Sequence, residues 1–270
     1  MKVLQGSDLA GFIKERQAKQ VRGLRQAHDI SPKLAIVVTV DHPAIEVYMR
    51  MKTQYGADIL IDVDIHRVEQ VNAPSLIEEL NTDETVHGII VQLPLKDPQE
   101  TDAIVDLVAP EKDVDALGKD AIYDPATPLA ILWLLAGYNI DLQDKEVLLV
   151  GRGKLVGAPL EKMLKKSGIN AVIVDETVDD LQEKAIHADV IITATGSPGV
   201  LSADMIKQGA VVVDAGVAGE QGKTVGDLDP DVYERDDLTI TPQKGGVGPL
   251  TICALFDNVI RAARARVEEA

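Results

Sequence analysis

The stretch VLLVGRGKLVGAP, residues 147–159, decides the fold of the second half of the chain. Four apolar residues typical of a buried strand run into a turn with the spacing Gly151-x-Gly153-x-x-x-Gly157, and a helical pattern follows. Such a turn exposes backbone N–H groups and the positive end of a helix dipole, which together bind pyrophosphate. The spacing differs from the usual G-x-G-x-x-G, so the loop alone also fits a simple tight turn. We predict a nucleotide site that includes Gly151, Arg152 and Gly153.

The segments that follow this loop continue the alternation of strand and helix. Their strands read AVIVDE, VIITATG, AVVVDAGV and LTITP. The pattern predicts a doubly wound, Rossmann-like sheet. The stretches TATGSPGV and VVVDAGV, the second of which ends at Val217, offer small-residue edges where a cofactor crosses the sheet.

Two acidic residues bear on the choice of cofactor. Asp175 and Glu176 end the second strand about 20 residues beyond the loop, where an acid hydrogen-bonds a ribose 2′-OH and repels a 2′-phosphate. They favour NAD. Arg152 argues for NADP, since a guanidinium beside the ribose pairs with that phosphate. A third alternative is that the two acids only solvate the end of a strand.

Upstream of the loop, residues 7–28 read as an amphipathic helix, and three strand and helix alternations follow it. Their strands, LAIVVTV, ILIDVDIHRV and HGIIVQLPL, are short and nearly continuous in apolar residues, which suits a parallel βαβαβα unit covered on both faces. We place a domain boundary near Pro125. The first domain then spans residues 1–125, the second spans 126–249, and a last amphipathic helix, 250–270, returns to the first.

Tyr48 and Lys52 stand one helical turn apart in PAIEVYMRMKTQYG. Residues at i and i+4 share one helix face, with Cβ atoms roughly 5 to 6 Å apart, so a phenol and an ammonium act on one bound molecule. Tyr-x-x-x-Lys also marks the short-chain dehydrogenases, but there the dinucleotide fold comes first in the chain. Here the pair precedes the glycine loop, and that class is disfavoured. Taken alone, Lys52 also reads as a solvated helix lysine.

The composition limits the kinds of molecule that the protein is expected to bind. The net charge of −17 opposes binding to nucleic acid or to anionic lipid, because both need Lys and Arg to neutralise phosphate. The single cysteine, Cys253, forms no intrachain disulfide, and no run of 18 apolar residues or signal peptide is present, so we expect a cytoplasmic protein. No Cys/His cluster has metal-ligand spacing, and we expect no metal site.

Eight landmarks in order give the chain a close resemblance to the bifunctional methylenetetrahydrofolate dehydrogenase/methenyltetrahydrofolate cyclohydrolase family. They are Tyr48-x-x-x-Lys52, GIIVQLPL, PEKDVDA, Thr127-Pro128, VGRGKLVGAP, GSPG, VVVDAGV and TPQKGGVGPLT. The resemblance implies a catalytic α/β domain and a Rossmann-like nicotinamide dinucleotide domain, a folate cleft between them, and a homodimer. It also implies two activities of one-carbon metabolism on tetrahydrofolate derivatives, namely oxidation of the 5,10-methylene form with NAD(P)+ and hydrolysis of the methenyl product to 10-formyltetrahydrofolate. By resemblance the cofactor is NADP.

Carried over position by position, the resemblance implies a set of site residues. Lys52 is essential for hydrolysis, Tyr48 stacks on the folate, and Gln92 orients Lys52. Asp115 binds the pterin, whose N–H groups a carboxylate accepts strongly, and Asp113 is its competitor. The other implied substrate contacts are Val91, Leu93, Gly245, Gly246, Val247, Gly248 and Pro249, and the implied cofactor contacts are Gly151, Arg152, Gly153, Asp175, Glu176 and Val217.

The chain also departs from the family pattern. A usual serine is Ile45, and the usual glycine after the Asp-Val-Asp segment is Ala116. The serine that commonly follows the Gly-Arg pair is Gly153, and the usual Val-Pro is Gln243-Lys244. These differences keep other hypotheses open: a dehydrogenase with impaired cyclohydrolase, another Rossmann dehydrogenase, or a non-catalytic nucleotide-binding module.

Overall fold

A computed structural model describes residues 1–175, 180–220 and 223–268. The chain forms two compact α/β units. The six-stranded unit consists of Met1–Ala10 and Thr127–Thr251, and the three-stranded unit consists of Gly11–Ala126 and Ile252–Ala270. The chain therefore starts in one unit, builds the other, returns to the first, and ends in the second through its last helix.

Helices and strands alternate through most of both units. The strands are β1 (Lys2–Val3), β2 (Lys33–Val38), β3 (Asp62–Arg67), β4 (Gly88–Val91), β5 (Val147–Val150), β6 (Ala171–Val174), β7 (Val190–Thr193), β8 (Val211–Asp214), β9 (Ala218–Glu220), β10 (Lys223–Val225) and β11 (Thr239–Ile240). The α-helices are α1 (Gly6–His28), α2 (Pro43–Asp58), α3 (Ala73–Thr82), α4 (Thr101–Val105), α5 (Ala126–Gly137), α6 (Gly157–Lys166), α7 (Leu181–Ala185) and α8 (Val247–Glu268).

The three-stranded unit is built on a parallel sheet with the strand order β3-β2-β4. The central strand β2 is buried along nearly its whole length, as its apolar sequence predicts for a strand with both faces covered. Strand β3 differs, because it lies at the edge of the sheet and none of its residues is fully buried. On one face, Ile77 and Leu80 of α3 pack with Ile89 and Val91 of β4. Parallel pairing brings the carboxyl ends of all three strands to one edge of this sheet.

The last helix α8 completes the core of this unit. Phe256 lies against Tyr55 of α2 with ring centroids 5.0 Å apart. The Tyr55 hydroxyl donates to Oε1 of Gln17 at 2.7 Å, and Nε2 of Gln17 donates to the carbonyl of Cys253 at 2.8 Å. All four side chains are buried, so this network fixes α1, α2 and α8 to one another.

The six-stranded unit contains a parallel sheet with the order β6-β5-β7-β8-β11-β1. The predicted doubly wound sheet is thus present, and the strand order reverses between β5 and β7. One addition was not predicted: β1 pairs with β11 at the edge of this sheet. Residues 1–10, which the sequence analysis assigns to the first domain, therefore belong to the six-stranded unit.

A buried histidine makes the stability of the three-stranded unit depend on pH. His87 directly precedes β4, and its Nδ1 accepts a hydrogen bond from the backbone N–H of Lys33 at 3.3 Å. Burial lowers the pKa of His87 to about 4, and the positive charges of Arg266 and Lys112 act in the same direction. The imidazole is therefore neutral in the folded protein at neutral pH.

We predict that acid weakens the fold through His87. The unfolded chain binds a proton near pH 6.5 and the folded chain only near pH 4, so stability is complete above pH 6.5 and falls as pH decreases between these values. Between pH 7.5 and pH 5 the loss is about 2 kcal/mol. Urea unfolding at both pH values measures it. The variant His87→Gln is expected to lose this dependence, whereas exposed His28→Gln keeps it; an equal pH dependence in both variants contradicts the assignment.

Candidate active site

Lys52 meets Gln92 at the carboxyl edge of the three-stranded sheet. Lys52 Nζ donates a hydrogen bond to Oε1 of Gln92 at 2.9 Å. Gln92 directly follows β4, where its backbone N–H donates to the carbonyl of Val37 in the neighbouring strand at 2.9 Å. Its Nε2 donates to the carbonyl of Leu93 at 2.7 Å. The contact of Nε2 with Leu93 fixes the orientation of the amide, so that its oxygen faces the Lys52 nitrogen and accepts a hydrogen bond from it.

Asp115 lies close enough to Lys52 for each group to influence the ionisation of the other. Burial lowers the pKa of Lys52, and the negative charge of Asp115 opposes that change. Burial likewise raises the pKa of Asp115, and the positive charge of Lys52 opposes it. In both groups desolvation is the larger effect. Lys52 therefore loses its proton more readily than a solvated lysine does, which suits a residue that accepts a proton.

Tyr48 lies one turn before Lys52 on α2. The residue is 42% exposed, and among the residues that the structure describes its hydroxyl makes no hydrogen bond. An exposed aromatic ring on this helix face is available for stacking. Ile45, where the family commonly has a serine, is buried in the first turn of the helix. Its side chain packs into the unit, and the hydrogen bond between Lys52 and Gln92 is present with isoleucine at this position.

The two candidate carboxylates, Asp113 and Asp115, differ in their hydrogen bonds. Asp113 is buried, and its carboxylate accepts the backbone N–H groups of Gly118 at 2.8 Å and Leu117 at 3.4 Å. Asp113 therefore holds the turn together. Within the described part of the chain, no group donates a hydrogen bond to the Asp115 carboxylate. Of the two, Asp115 is therefore the stronger candidate for binding a ligand.

Two buried polar residues that position this loop were missed in the sequence analysis. Lys112 is 1% exposed, and its Nζ donates to the carbonyls of Leu80 and Asp83 at the end of α3. Asn258 of α8 is fully buried, and its Nδ2 donates to the carbonyls of Val114 and Asp124. A polar residue inside the apolar run ALFDNVI was the available signal for Asn258, since a buried amide needs partners.

The glycine loop of the six-stranded unit lies at the point where the strand order reverses. Gly151 has φ +99°, and a Cβ there would lie 2.7 Å from the carbonyl oxygen of Ala194. A Cβ at Gly157 would lie 2.1 Å from the carbonyl oxygen of Gly151. Backbone packing thus requires both glycines. Gly153 has open space around it, so its missing side chain leaves room above the loop.

The predicted ribose contacts are only partly described. Arg152 forms a two-point ion pair with Glu161 of α6, with Nε at 2.8 Å and Nη2 at 3.4 Å from the carboxylate oxygens. Its guanidinium is therefore already engaged by an acid. Asp175 directly follows β6, and Glu176 lies outside the described residues. Val217 is 59% exposed in the loop after β8.

The predicted turn from Gly245 to Pro249 divides into two parts. Gly245 has φ +84°, and its carbonyl accepts the backbone N–H of Ser7 at 2.9 Å. A Cβ at Gly6 would lie 1.9 Å from the carbonyl oxygen of Gly246, so the start of α1 packs directly on this turn. Val247, Gly248 and Pro249 instead form the first turn of α8.

Two other kinds of site are absent from the described residues. No group of three or more His, Cys, Asp or Glu side chains is arranged to hold a metal ion there. None of the helices in those same ranges combines the length and the apolar character needed to cross a membrane.

Comparison with known proteins gives consistent matches over both units. Residues 4–115 match the family model described as tetrahydrofolate dehydrogenase/cyclohydrolase, catalytic domain, and residues 125–267 match the corresponding NAD(P)-binding domain. The bifunctional protein FolD of Moorella thermoacetica is 36% identical over 277 residues, covering 97% of this chain and 98% of its own. That of Campylobacter jejuni is 35% identical over 282 residues, covering 99% of this chain and 100% of its own.

Solved structures agree with these sequence matches. The crystal structure of the bifunctional FolD methylenetetrahydrofolate dehydrogenase/cyclohydrolase from Campylobacter jejuni superposes with a TM-score of 0.92 at 34% identity, covering 98% of this chain and 99% of that one. The enzyme from Trypanosoma brucei, solved with NADP cofactor and an inhibitor, gives 0.91 at 26% identity and 98% coverage of both chains. The predicted fold class and the family resemblance are confirmed.

Ala116 predicts a stabilising substitution. Its φ of +56° lies in the left-handed region, which costs a residue with a Cβ roughly 1 to 2 kcal/mol compared with glycine. The greater freedom of glycine in the unfolded chain offsets part of this cost. We expect Ala116→Gly to raise the free energy of unfolding by roughly 0.5 to 1 kcal/mol, measured by urea denaturation. The same change at Ala57 in α2 is expected to lower it. A destabilising Ala116→Gly would contradict the interpretation.

Proposed function

Because the chain belongs to the tetrahydrofolate dehydrogenase/cyclohydrolase family, we propose that it oxidises 5,10-methylenetetrahydrofolate to the methenyl form with a nicotinamide dinucleotide and hydrolyses that product to 10-formyltetrahydrofolate. The observation that carries the proposal is the hydrogen bond between Lys52 and Gln92 beside Asp115. This arrangement lies in the part of the chain that matches the catalytic domain.

The oxidation depends mainly on orientation. A hydride leaves a carbon that is flanked by two nitrogens, and these nitrogens stabilise the resulting cation without help from an acid or base. The protein has to hold the substrate and the nicotinamide ring face to face, which lowers the barrier by removing their relative freedom. We assign the pterin to Asp115, whose carboxylate accepts N–H donors, and the stacking role to Tyr48, whose ring is exposed. Val91 and Leu93 flank Gln92 and complete the proposed substrate contacts of this unit.

The hydrolysis depends on proton transfer. Water adds to the cationic methenyl carbon while its proton passes to neutral Lys52. The hydroxyl of the adduct then loses its proton and becomes the formyl C=O as the bond from that carbon to N5 breaks. Of the two protons that came from water, one ends on N5 and the other is released, which returns Lys52 to its neutral form. Burial favours the neutral lysine that this step requires. Gln92 accepts a hydrogen bond from Lys52 and holds its nitrogen in place. The retained contact favours a bifunctional enzyme over one that has lost cyclohydrolase activity.

For the cofactor we propose a preference for NAD over NADP. Asp175 follows β6, where an acidic residue accepts the ribose 2′-OH and repels a 2′-phosphate. Arg152, which would otherwise pair with that phosphate, is engaged by Glu161. The pyrophosphate is instead assigned to the backbone of the loop at Gly151, Arg152 and Gly153. Val217 completes the proposed cofactor contacts.

The remaining proposals rest on the family and on the sequence. The glycine turn that begins at Gly245 and continues through Gly246, Val247, Gly248 and Pro249 is assigned to the substrate and nicotinamide. The protein is proposed to work as a homodimer in the cytoplasm, and sedimentation of the purified chain tests the oligomeric state.

We predict that Lys52→Ala lowers kcat for methenyl hydrolysis by at least about 100-fold, since a general base contributes that much or more. In the wild type, kcat should rise with pH through the lowered pKa of Lys52, because the neutral amine is the active form. The decay of methenyl absorbance measures both effects. The exposed Lys96→Ala serves as a control and should retain activity. Unchanged hydrolysis in Lys52→Ala would refute the assigned role.

We predict that replacing both Asp175 and Glu176 by serine shifts cofactor preference towards NADP+. Removing two negative charges beside the 2′-phosphate should raise the ratio of kcat/KM for NADP+ to that for NAD+ by about tenfold, or roughly 1.4 kcal/mol. Initial rates of nicotinamide reduction with each cofactor give the ratio. Glu183→Ser removes a charge from exposed α7 and controls for net charge. An unaltered ratio in the double variant would place the acids away from the ribose.

A further inference from the structure

A buried carboxylate holds one of the loops beside the glycine loop that runs from Gly151 to Gly157. Asp227 is fully buried in the segment that follows β10. Its Oδ2 accepts the backbone N–H of Thr195 at 2.7 Å, and its Oδ1 accepts the backbone N–H of Ser197 at 3.1 Å. Both oxygens therefore bind the backbone of the loop that follows β7.

A second carboxylate fixes Asp227 itself. The backbone N–H of Asp227 is shared between the two oxygens of Asp214, at 3.1 and 3.0 Å, and Asp214 also accepts the Tyr233 hydroxyl at 3.3 Å. A Cβ at Gly216 would lie 1.9 Å from Oδ1 of Asp227, and a Cβ at Gly226 would lie 2.0 Å from Oδ2 of Asp214. The two acids are thus tightly enclosed by backbone, and their positions allow little movement.

The loop held by Asp227 contacts the glycine loop at Gly151 directly. A Cβ at Gly151 would lie 2.7 Å from the carbonyl oxygen of Ala194 and 3.0 Å from Cγ2 of Thr195. Strands β5 and β7 are the neighbours between which the strand order reverses. In doubly wound sheets, ligands bind outside the carboxyl ends of the strands at this point. The loop from Ala194 to Ser197 therefore forms one side of the place where a dinucleotide binds.

A buried acid without a cationic partner is costly, because the charge loses its hydration. Asp227 has no ion pair among the described residues, and backbone N–H groups of a single loop provide the compensation. Carboxylates bound to backbone N–H groups form strong, charge-assisted hydrogen bonds. Such bonds hold the loop in one conformation before a ligand arrives.

We propose that Asp227 is a positioning residue for the dinucleotide, which it serves by holding Thr195 and Ser197 in the conformation that lines the binding site. The inference rests on the proposed function. In Asp227→Asn an amide NH₂ replaces one carboxylate oxygen and faces a backbone N–H, so one of the two bonds is lost and two donors oppose each other. The loop then has to be ordered by the ligand itself, which weakens binding.

Calorimetric titration with NAD+ and steady-state kinetics test the proposal on the full-length protein. We expect Asp227→Asn to raise both the Kd and the KM for NAD+ by about tenfold, with a much smaller change in kcat of oxidation. Hydrolysis of supplied methenyltetrahydrofolate should be unchanged, because that step uses no dinucleotide. Hydrogen exchange should become faster at the amides of Thr195 and Ser197.

Asp231→Asn is the matched control. Its carboxylate also accepts a backbone N–H, that of Ala203 at 3.1 Å, but on a different loop. It should bind NAD+ as the wild type does. The inference is overturned if folded Asp227→Asn keeps the wild-type Kd for NAD+, or if the folded variant loses hydrolysis to the same extent as it loses NAD+ binding. If the wild type binds NAD+ but oxidises no methylenetetrahydrofolate, the proposed function fails while the binding test of Asp227 stands.

A milder variant covers the case in which Asp227→Asn does not fold. Tyr233→Phe removes one hydroxyl that donates to Asp214 and leaves the ring in place. We expect it to raise the KM for NAD+ about twofold to threefold with hydrolysis unchanged, since it loosens Asp227 only through Asp214. An unchanged KM for NAD+ in this variant would then overturn the proposal.

Discussion

Parallel strand pairing is the constraint on which both candidate sites depend. In a parallel sheet all strands end at one edge, so residues far apart in the chain meet there. Gln92 follows β4 at that edge of the small sheet. It accepts a hydrogen bond from Lys52, which lies on α2, the helix after β2. Gly151 follows β5 and Ala194 follows β7 at the same edge of the large sheet. In each unit, the parallel pairing of the strands therefore brings the candidate site residues to one edge of the sheet.

Buried polar side chains then give the loops at these edges a fixed shape. Asp113 binds the backbone of its own turn, and Asp227 binds the backbone of a distant loop. Lys112 and Asn258 perform the same task through backbone carbonyls. Each of these groups is buried, so leaving it unpaired would cost about 1 to 3 kcal/mol or more. The protein thus uses buried polar residues to order these loops, whereas the Asp115 carboxylate receives no hydrogen bond from any described residue.

Much of the fold and part of the site could be predicted from local pattern. Apolar runs indicated the parallel strands, and the spacing of Tyr48 and Lys52 on one helix face followed from helical geometry alone. The pairing of β1 with β11 could not be predicted, because a strand of two residues carries no periodic signal. The choice between Asp113 and Asp115 was also open, since neighbouring carboxylates in one loop look alike until their hydrogen bonds are known.

By itself, the sequence determined the order of strands and helices, the glycine loop that begins at Gly151, and the family to which the chain belongs. These depend on residue types at fixed spacings. Only the tertiary structure decided which polar groups are buried and what they bind. Arg152 pairs with Glu161, and Asp227, which the sequence does not distinguish from other loop acids, accepts the backbone N–H of Thr195. The physical reason is that burial and hydrogen-bond geometry depend on contacts between distant segments, which no local pattern records.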